Sequence, residues 1–125
     1  MEPIYRIPDD LLAEPVTVAL SETPDWSHEF LGIDPLWEKT RGEGIICCVL
    51  DTGVAETHPD LQGAILDTAD FTRSLAGPRD KLGHGTWCCG AIAMRSGNDQ
   101  GGRGIANLSQ ILSAKVLGDS GSGND

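Results

Sequence analysis

Three apolar segments of the chain carry readable patterns. Residues 45–50, IICCVL, form an uninterrupted apolar run ended by Asp51-Thr52-Gly53. A run of this length, β-branched at its start and stopped by turn-forming residues, predicts a strand buried on both faces, the habit of central strands in parallel sheets. Residues 110–116, QILSAKV, alternate well enough to predict a second strand. Between them, residues 84–95, HGTWCCGAIAMR, predict a helix. Gly85 and Gly90 would each cost about 1 kcal/mol in its interior, so close packing is the expected reason for them. The order strand, helix, strand places the chain in the α/β class with a parallel sheet.

The polar stretches divide unevenly. Pro3, Pro8, Pro15 and Pro24 interrupt helix and bias their predecessors to extended conformations, so residues 1–24 read as an extended arm. Asp34-Pro35 suits a helix start, with Asp34 as N-cap and Pro35 at the first helical position, running to Gly42. Fifteen of the 16 glycines lie at or after Gly42, whereas five of the seven prolines fall by Pro35. The turn-rich, compact part is therefore expected after the arm.

With 125 residues the chain is one domain or less. Its net charge of −10, from 9 basic and 19 acidic residues, and the lack of clustered Lys or Arg speak against a nucleic-acid partner. Ten of the acids lie in residues 1–44, so the acidity belongs mainly to the front. No apolar run approaches the roughly 20 residues that span a bilayer, and the start has neither a basic nor an apolar leader region, so no membrane partner and a cytoplasmic location are expected. Cys47-Cys48 and Cys88-Cys89 are adjacent pairs without CxxC spacing. They suggest reduced thiols acting as small apolar side chains rather than a zinc or redox site.

Asp51 would stand at the C-terminal end of a parallel strand, where open α/β sheets place their functional crevice. His84 would open a glycine-flanked helix. Separately, each has an ordinary reading, as a turn cap and as a structural histidine. Together they have the chemical types of a carboxylate that orients an imidazole, which in turn takes a proton from a hydroxyl nucleophile.

Three ordered blocks carry a family resemblance: VLDTGVAETHPDLQG around Asp51, GHGTWCCGAIA around His84 and GRGIANLSQILSAKVLGDSGSG near residue 123. They resemble the subtilisin-like serine peptidases over about residues 30–125. The resemblance implies a doubly wound parallel sheet, Asp51 and His84 as catalytic residues, and polypeptide substrates. It also implies that residues 25–125 are the front portion of a peptidase domain, truncated after the Asp and His blocks. The family's nucleophile sits in a downstream GTS block that is absent here, and none of the eight serines is assigned that role. Residues 1–125 alone are therefore expected to be inactive as a peptidase and, with a sheet cut short, prone to aggregate.

Further positions follow from the same resemblance. Gly121, Ser122 and Gly123 are similar to the segment that pairs with substrate backbone, while a plain Gly/Ser loop is the simpler reading. Gly118-Asp119-Ser120-Gly121 also looks like the nucleophile motif of trypsin-like peptidases, but that family is all-β and orders its blocks differently. Cys88, four residues after His84, resembles a free thiol found beneath the catalytic histidine in several branches, implying sensitivity to mercurials. Trp87 departs from the usual His or Arg and reads as a packing residue. Asp60, with Asn98 in a nearby loop, resembles a structural calcium site, although calcium takes six to eight oxygens and few are visible. No organic cofactor is implied. Residues 1–24 resemble the short extension of intracellular members, and Ile4-Tyr5-Arg6-Ile7-Pro8 its inhibitory element, placing residues 3–8 across the cleft. Two rival readings stand beside this one: an aspartic peptidase built on Leu50-Asp51-Thr52-Gly53, and a catalytically inactive peptide-binding remnant.

Overall fold

The computed structural model of the protein describes residues 5–6, 26–99 and 101–123. Most of the arm expected at residues 1–24 lies outside the described residues. Three parallel strands form the main sheet: β2 (Ile46–Asp51), β3 (Ile65–Asp70) and β4 (Gln110–Lys115), in the order β2-β4-β3. Cys48 pairs with Leu112 and Asp51 with Lys115, so the carboxyl ends of β2 and β4 finish side by side. A short antiparallel pair joins β1 (Tyr5–Arg6) to β5 (Ser122–Gly123).

Helix α3 (His84–Ala93) packs on one face of the main sheet and closes the core. That core comprises Val49, Val54, Leu61, Ala64, Cys89, Ala93 and Ile111, with Cys47 and Ile65 packed against it. Each fully buried Leu or Ile here contributes about 1.5–3 kcal/mol. The α/β class and parallel sheet expected from the strand, helix, strand order are what the chain adopts.

Several details differ from the sequence reading. Among the described residues, β2 is an edge strand with one covered face: Val49 faces the core, whereas Ile46 and Leu50 are 53% and 62% exposed and Cys48 lies outside with them. Strand geometry turns successive side chains to opposite faces, so an unbroken apolar run does not require two covered faces. The Cys47-Cys48 pair is split in this way.

A third strand, β3, and a first helix, α1 (Trp26–Leu31), carried no clear pattern in the sequence. Helix α2 (Ile33–Leu36) is only one turn long, and its N-cap is Gly32 rather than Asp34. Asp34 instead sits in the first turn with its carboxylate 3.9 Å from Arg103. Trp37, at the end of α2, donates its indole N–H to the Ile105 carbonyl at 2.7 Å, and the Arg41 and Arg103 guanidinium groups lie about 5 Å from its ring. The short helix is thus held by its neighbours rather than by its own length.

Candidate active site

The parallel pairing of β2 with β4 aims Asp51 out of the sheet's carboxyl end, where the chain turns sharply at Thr52-Gly53. The turn is fastened sideways to residues 78–80: the Val54 N–H donates to the Pro78 carbonyl, and the Asp80 N–H donates to Val54. Gly53 has φ of +103°, and a Cβ there would lie 2.2 Å from the Pro78 oxygen. Only glycine fits so close an approach.

Across this turn stands the N-terminus of α3. Its first backbone N–H groups have no partners within the helix and must find them elsewhere. The Gly85 N–H donates to Thr52 Oγ1 at 2.9 Å, and the Thr86 N–H donates to Asp80 Oδ2 at 2.8 Å. A Cβ on Gly85 would lie 2.2 Å from the Gly53 carbonyl oxygen, which accounts for one of the two helical glycines by close packing. Thr52 Oγ1 in turn donates to Asp80 Oδ1 at 2.9 Å.

This fastening decides where His84 points. Its Nδ1 lies 2.9 Å from Asp51 Oδ1 and 3.0 Å from Oδ2, and both side chains are largely buried. An ionised carboxylate only accepts, so Nδ1 carries the hydrogen and Nε2 remains the basic nitrogen of the neutral ring. The Thr52 N–H also donates to Asp51 Oδ1, at 2.7 Å. Cys88 Sγ, one helical turn on, is 3.7 Å from His84 Nδ1, so Asp51, His84 and Cys88 form one cluster.

Residues 42–125 match the model of the subtilase family. The chain belongs to the subtilase family. Among similar proteins, thermitase of Thermoactinomyces vulgaris is 39% identical over 87 residues, covering 70% of this subtilase chain and 31% of thermitase. The intracellular serine protease of Paenibacillus polymyxa is 38% identical over 99 residues, 76% of this chain and 30% of the relative. The major intracellular serine protease of Bacillus subtilis is 39% identical over 94 residues, 70% and 29% respectively. The chain thus spans from 19% to 31% of the length of curated relatives it matches.

The residues singled out from the sequence of this subtilase are only partly brought together. Asp51 and His84 meet; Gly121, Ser122 and Gly123 lie in and beside β5, paired with β1. Ser120 occupies the tight turn closed by the bond from the Gly121 N–H to the Gly118 carbonyl. The aspartic-peptidase reading is displaced, because it needs an all-β frame and Asp51 ends a parallel strand with its carboxylate engaged by His84. Asp60 is buried in the turn before β3, and Asn98 lies beside it. Asn98 donates its Nδ2–H to Asp60 Oδ1 at 2.7 Å, so the two side chains singled out for calcium lie together. Trp87 is 63% exposed within the described residues, with its ring centroid 6.4 Å from that of His84.

Asp80 escaped the sequence reading altogether. Its two oxygens accept from the N–H groups of Leu82, Gly83 and Thr86 and from the hydroxyls of Thr52 and Thr86. Burial opposes its ionisation, but these hydrogen bonds outweigh it and hold the carboxyl below its ordinary range. No local pattern marks it, because Thr52, one of its donors, lies 28 residues away in the sequence.

The thiols of α3 are poor nucleophiles in this setting. Burial, then the Asp51 charge, raises Cys88 to about 11, and burial foremost raises Cys89 to about 12. At pH 8 only about one Cys88 in a thousand is a thiolate. With a disulfide-exchange reagent at that pH, exposed Cys48 is expected to react in a fast phase and the α3 pair far more slowly. Equal rates for all four cysteines would contradict this arrangement.

Proposed function

We propose that the chain is the front portion of a subtilisin-like serine endopeptidase in which Asp51 and His84 are two members of an Asp-His-Ser triad. The observation that carries this reading is the two-oxygen contact of Asp51 with His84 Nδ1 at the carboxyl end of β2. With Nδ1 held, Nε2 takes the proton of a serine hydroxyl as its oxygen attacks the peptide carbonyl, and Asp51 stabilises the imidazolium that forms. His84 then passes that proton to the departing amine. Water repeats the cycle on the ester to release the acid and restore the serine. The serine belongs to a part of the protein outside residues 1–125, in keeping with the 19% to 31% of the relatives' length that the chain spans.

Full-length protein treated with a serine-directed phosphonylating reagent is expected to lose its peptidase activity, while pepstatin leaves it unchanged. Residues 1–125 alone are expected to show no turnover. The reverse pattern of inhibition would overturn the proposal.

Substrate polypeptide adds as a strand to residues 121–123, where small side chains let backbone approach. The pairing of Tyr5 with Gly123 and Arg6 with Ser122 supports this, because the chain's own front segment already uses that edge. On the same reading, residues 1–24 are an inhibitory extension and residues 3–8 restrain the cleft. Removing residues 1–8 from the full-length enzyme is then expected to lower KM severalfold; an unchanged KM would show that the arm does not occupy the substrate edge. Action inside the cell belongs to this proposal and is supported by the two relatives named as intracellular proteases.

A further inference from the structure

Lys115, the last residue of β4, is wholly buried, although lysine is rarely so unless its charge is paired. Its backbone lies opposite Asp51 at the end of β2 and Asp70 at the end of β3. Its Nζ donates to the Arg79 carbonyl at 2.7 Å and to Asp119 Oδ1 at 2.6 Å, and Asp119 Oδ2 accepts from the Ser74 hydroxyl at 2.7 Å. The two groups that this ammonium joins serve different parts of the molecule. Arg79 precedes Asp80 and pairs with Val54, so it belongs to the segment that fastens the Asp51–His84 turn. Asp119 stands in the tight turn closed by Gly118 and Gly121, immediately before residues 121–123. The main chain ties that turn to the pair only at its root, where the Val116 and Leu117 N–H groups donate to the Asp51 carbonyl at 2.9 and 3.1 Å.

We infer that Lys115 is a positioning residue of the peptidase, bracing the substrate edge at residues 121–123 against the Asp51–His84 pair through its bonds to Asp119 and Arg79. The inference rests on the peptidase reading. A polypeptide laid along the edge meets His84 only if edge and pair keep one separation, and a misplacement of about 1 Å costs roughly 100-fold in rate. Between Leu117 and Ser122 the turn offers two glycines and the exposed Asp119 and Ser120. The side-chain hydrogen bonds that hold it, among the described residues, are those of Asp119 to Lys115 and Ser74. An ammonium taken out of water is a poor source of stability even when paired, whereas its bonds have a set length and direction. That is the property a brace requires.

The test uses full-length enzyme with two substrates: a hexapeptide long enough to lie along the edge, and an N-acetyl amino-acid ester that reaches the triad without it. Lys115→Met, which keeps an apolar stem, is expected to lower kcat/KM for the hexapeptide about 30-fold more than for the ester. The fall should lie in kcat rather than KM, because the peptide still binds but is misaligned. Asp119→Ala, in an exposed turn, is expected to show the same selectivity at about five-fold. The double variant should lose no more than Lys115→Met alone, since both substitutions remove one tie. Equal losses on the two substrates would reduce Lys115 to a structural role and overturn the inference. So would no loss, or losses that multiply in the double variant. If Lys115→Met does not fold, Asp119→Ala alone decides, by its ratio between the two substrates. Wild-type enzyme that hydrolyses neither substrate would refute the peptidase reading and the inference with it, whereas wild-type turnover with unselective variants refutes the inference alone.

Discussion

His84→Ala in the full-length enzyme is expected to lower kcat by about 10⁶-fold, and Asp51→Asn by about 10⁴-fold, with KM changing little. The two figures differ for a structural reason. In the proposed triad, nothing takes the nucleophile's proton once His84 is gone. Asparagine at 51 keeps the shape, but the side-chain amide can donate to Nδ1, and the ring then carries its hydrogen on Nε2, where a lone pair is required. The Asp51 contacts at 2.9 and 3.0 Å make this a direct test of ring orientation. Steady-state kinetics with melting curves for each variant checks it. A variant that keeps its melting temperature and more than a hundredth of its activity would remove that residue from the triad.

Asp80→Ala is expected to produce the largest loss of stability of any single polar substitution near the site, about 3–5 kcal/mol. It would strip the acceptor from five donors at once, each net bond contributing about 1 kcal/mol, and strand the Thr86 N–H at the head of α3. Thermal melting measures this, and a drop of less than about 1 kcal/mol would show that water replaces the carboxylate. The pH dependence has a definite sign. The folded carboxyl titrates below its unfolded value, so its stabilisation is complete above the unfolded value near 4 and is lost as pH falls through the folded one. Asp80→Asn should flatten the acid limb of the stability curve relative to wild type.

What the sequence made legible follows from the range over which each feature is determined. β2, α3 and β4 were readable because their apolar residues are continuous or alternate within a few positions. β3 was not: Asp67, Thr68 and Asp70 make Ile65–Asp70 resemble a loop, and only its register against β4 makes it a strand. Helix α1, only six residues long, is too short for a helical period to show. The edge position of β2 depends on β4 passing between β2 and β3, a fact of topology that no local window contains. Within the site, Asp51 and His84 were recognisable by type and surroundings. Asp80 and Thr52 were not, because their importance arises where two turns about 30 residues apart meet, and the exposure of Trp87 depends on which side of α3 the sheet covers.

The strand pairing of Tyr5–Arg6 with Ser122–Gly123 lies within a single molecule. An intramolecular occupant is held by its tether, so dilution does not release it and added protein does not reinforce it. If residues 121–123 are the substrate edge, as proposed, incoming polypeptide must compete at whatever concentration it reaches. On the peptidase reading, the onset of proteolysis would track the supply of substrate and be indifferent to how much enzyme the cell has made.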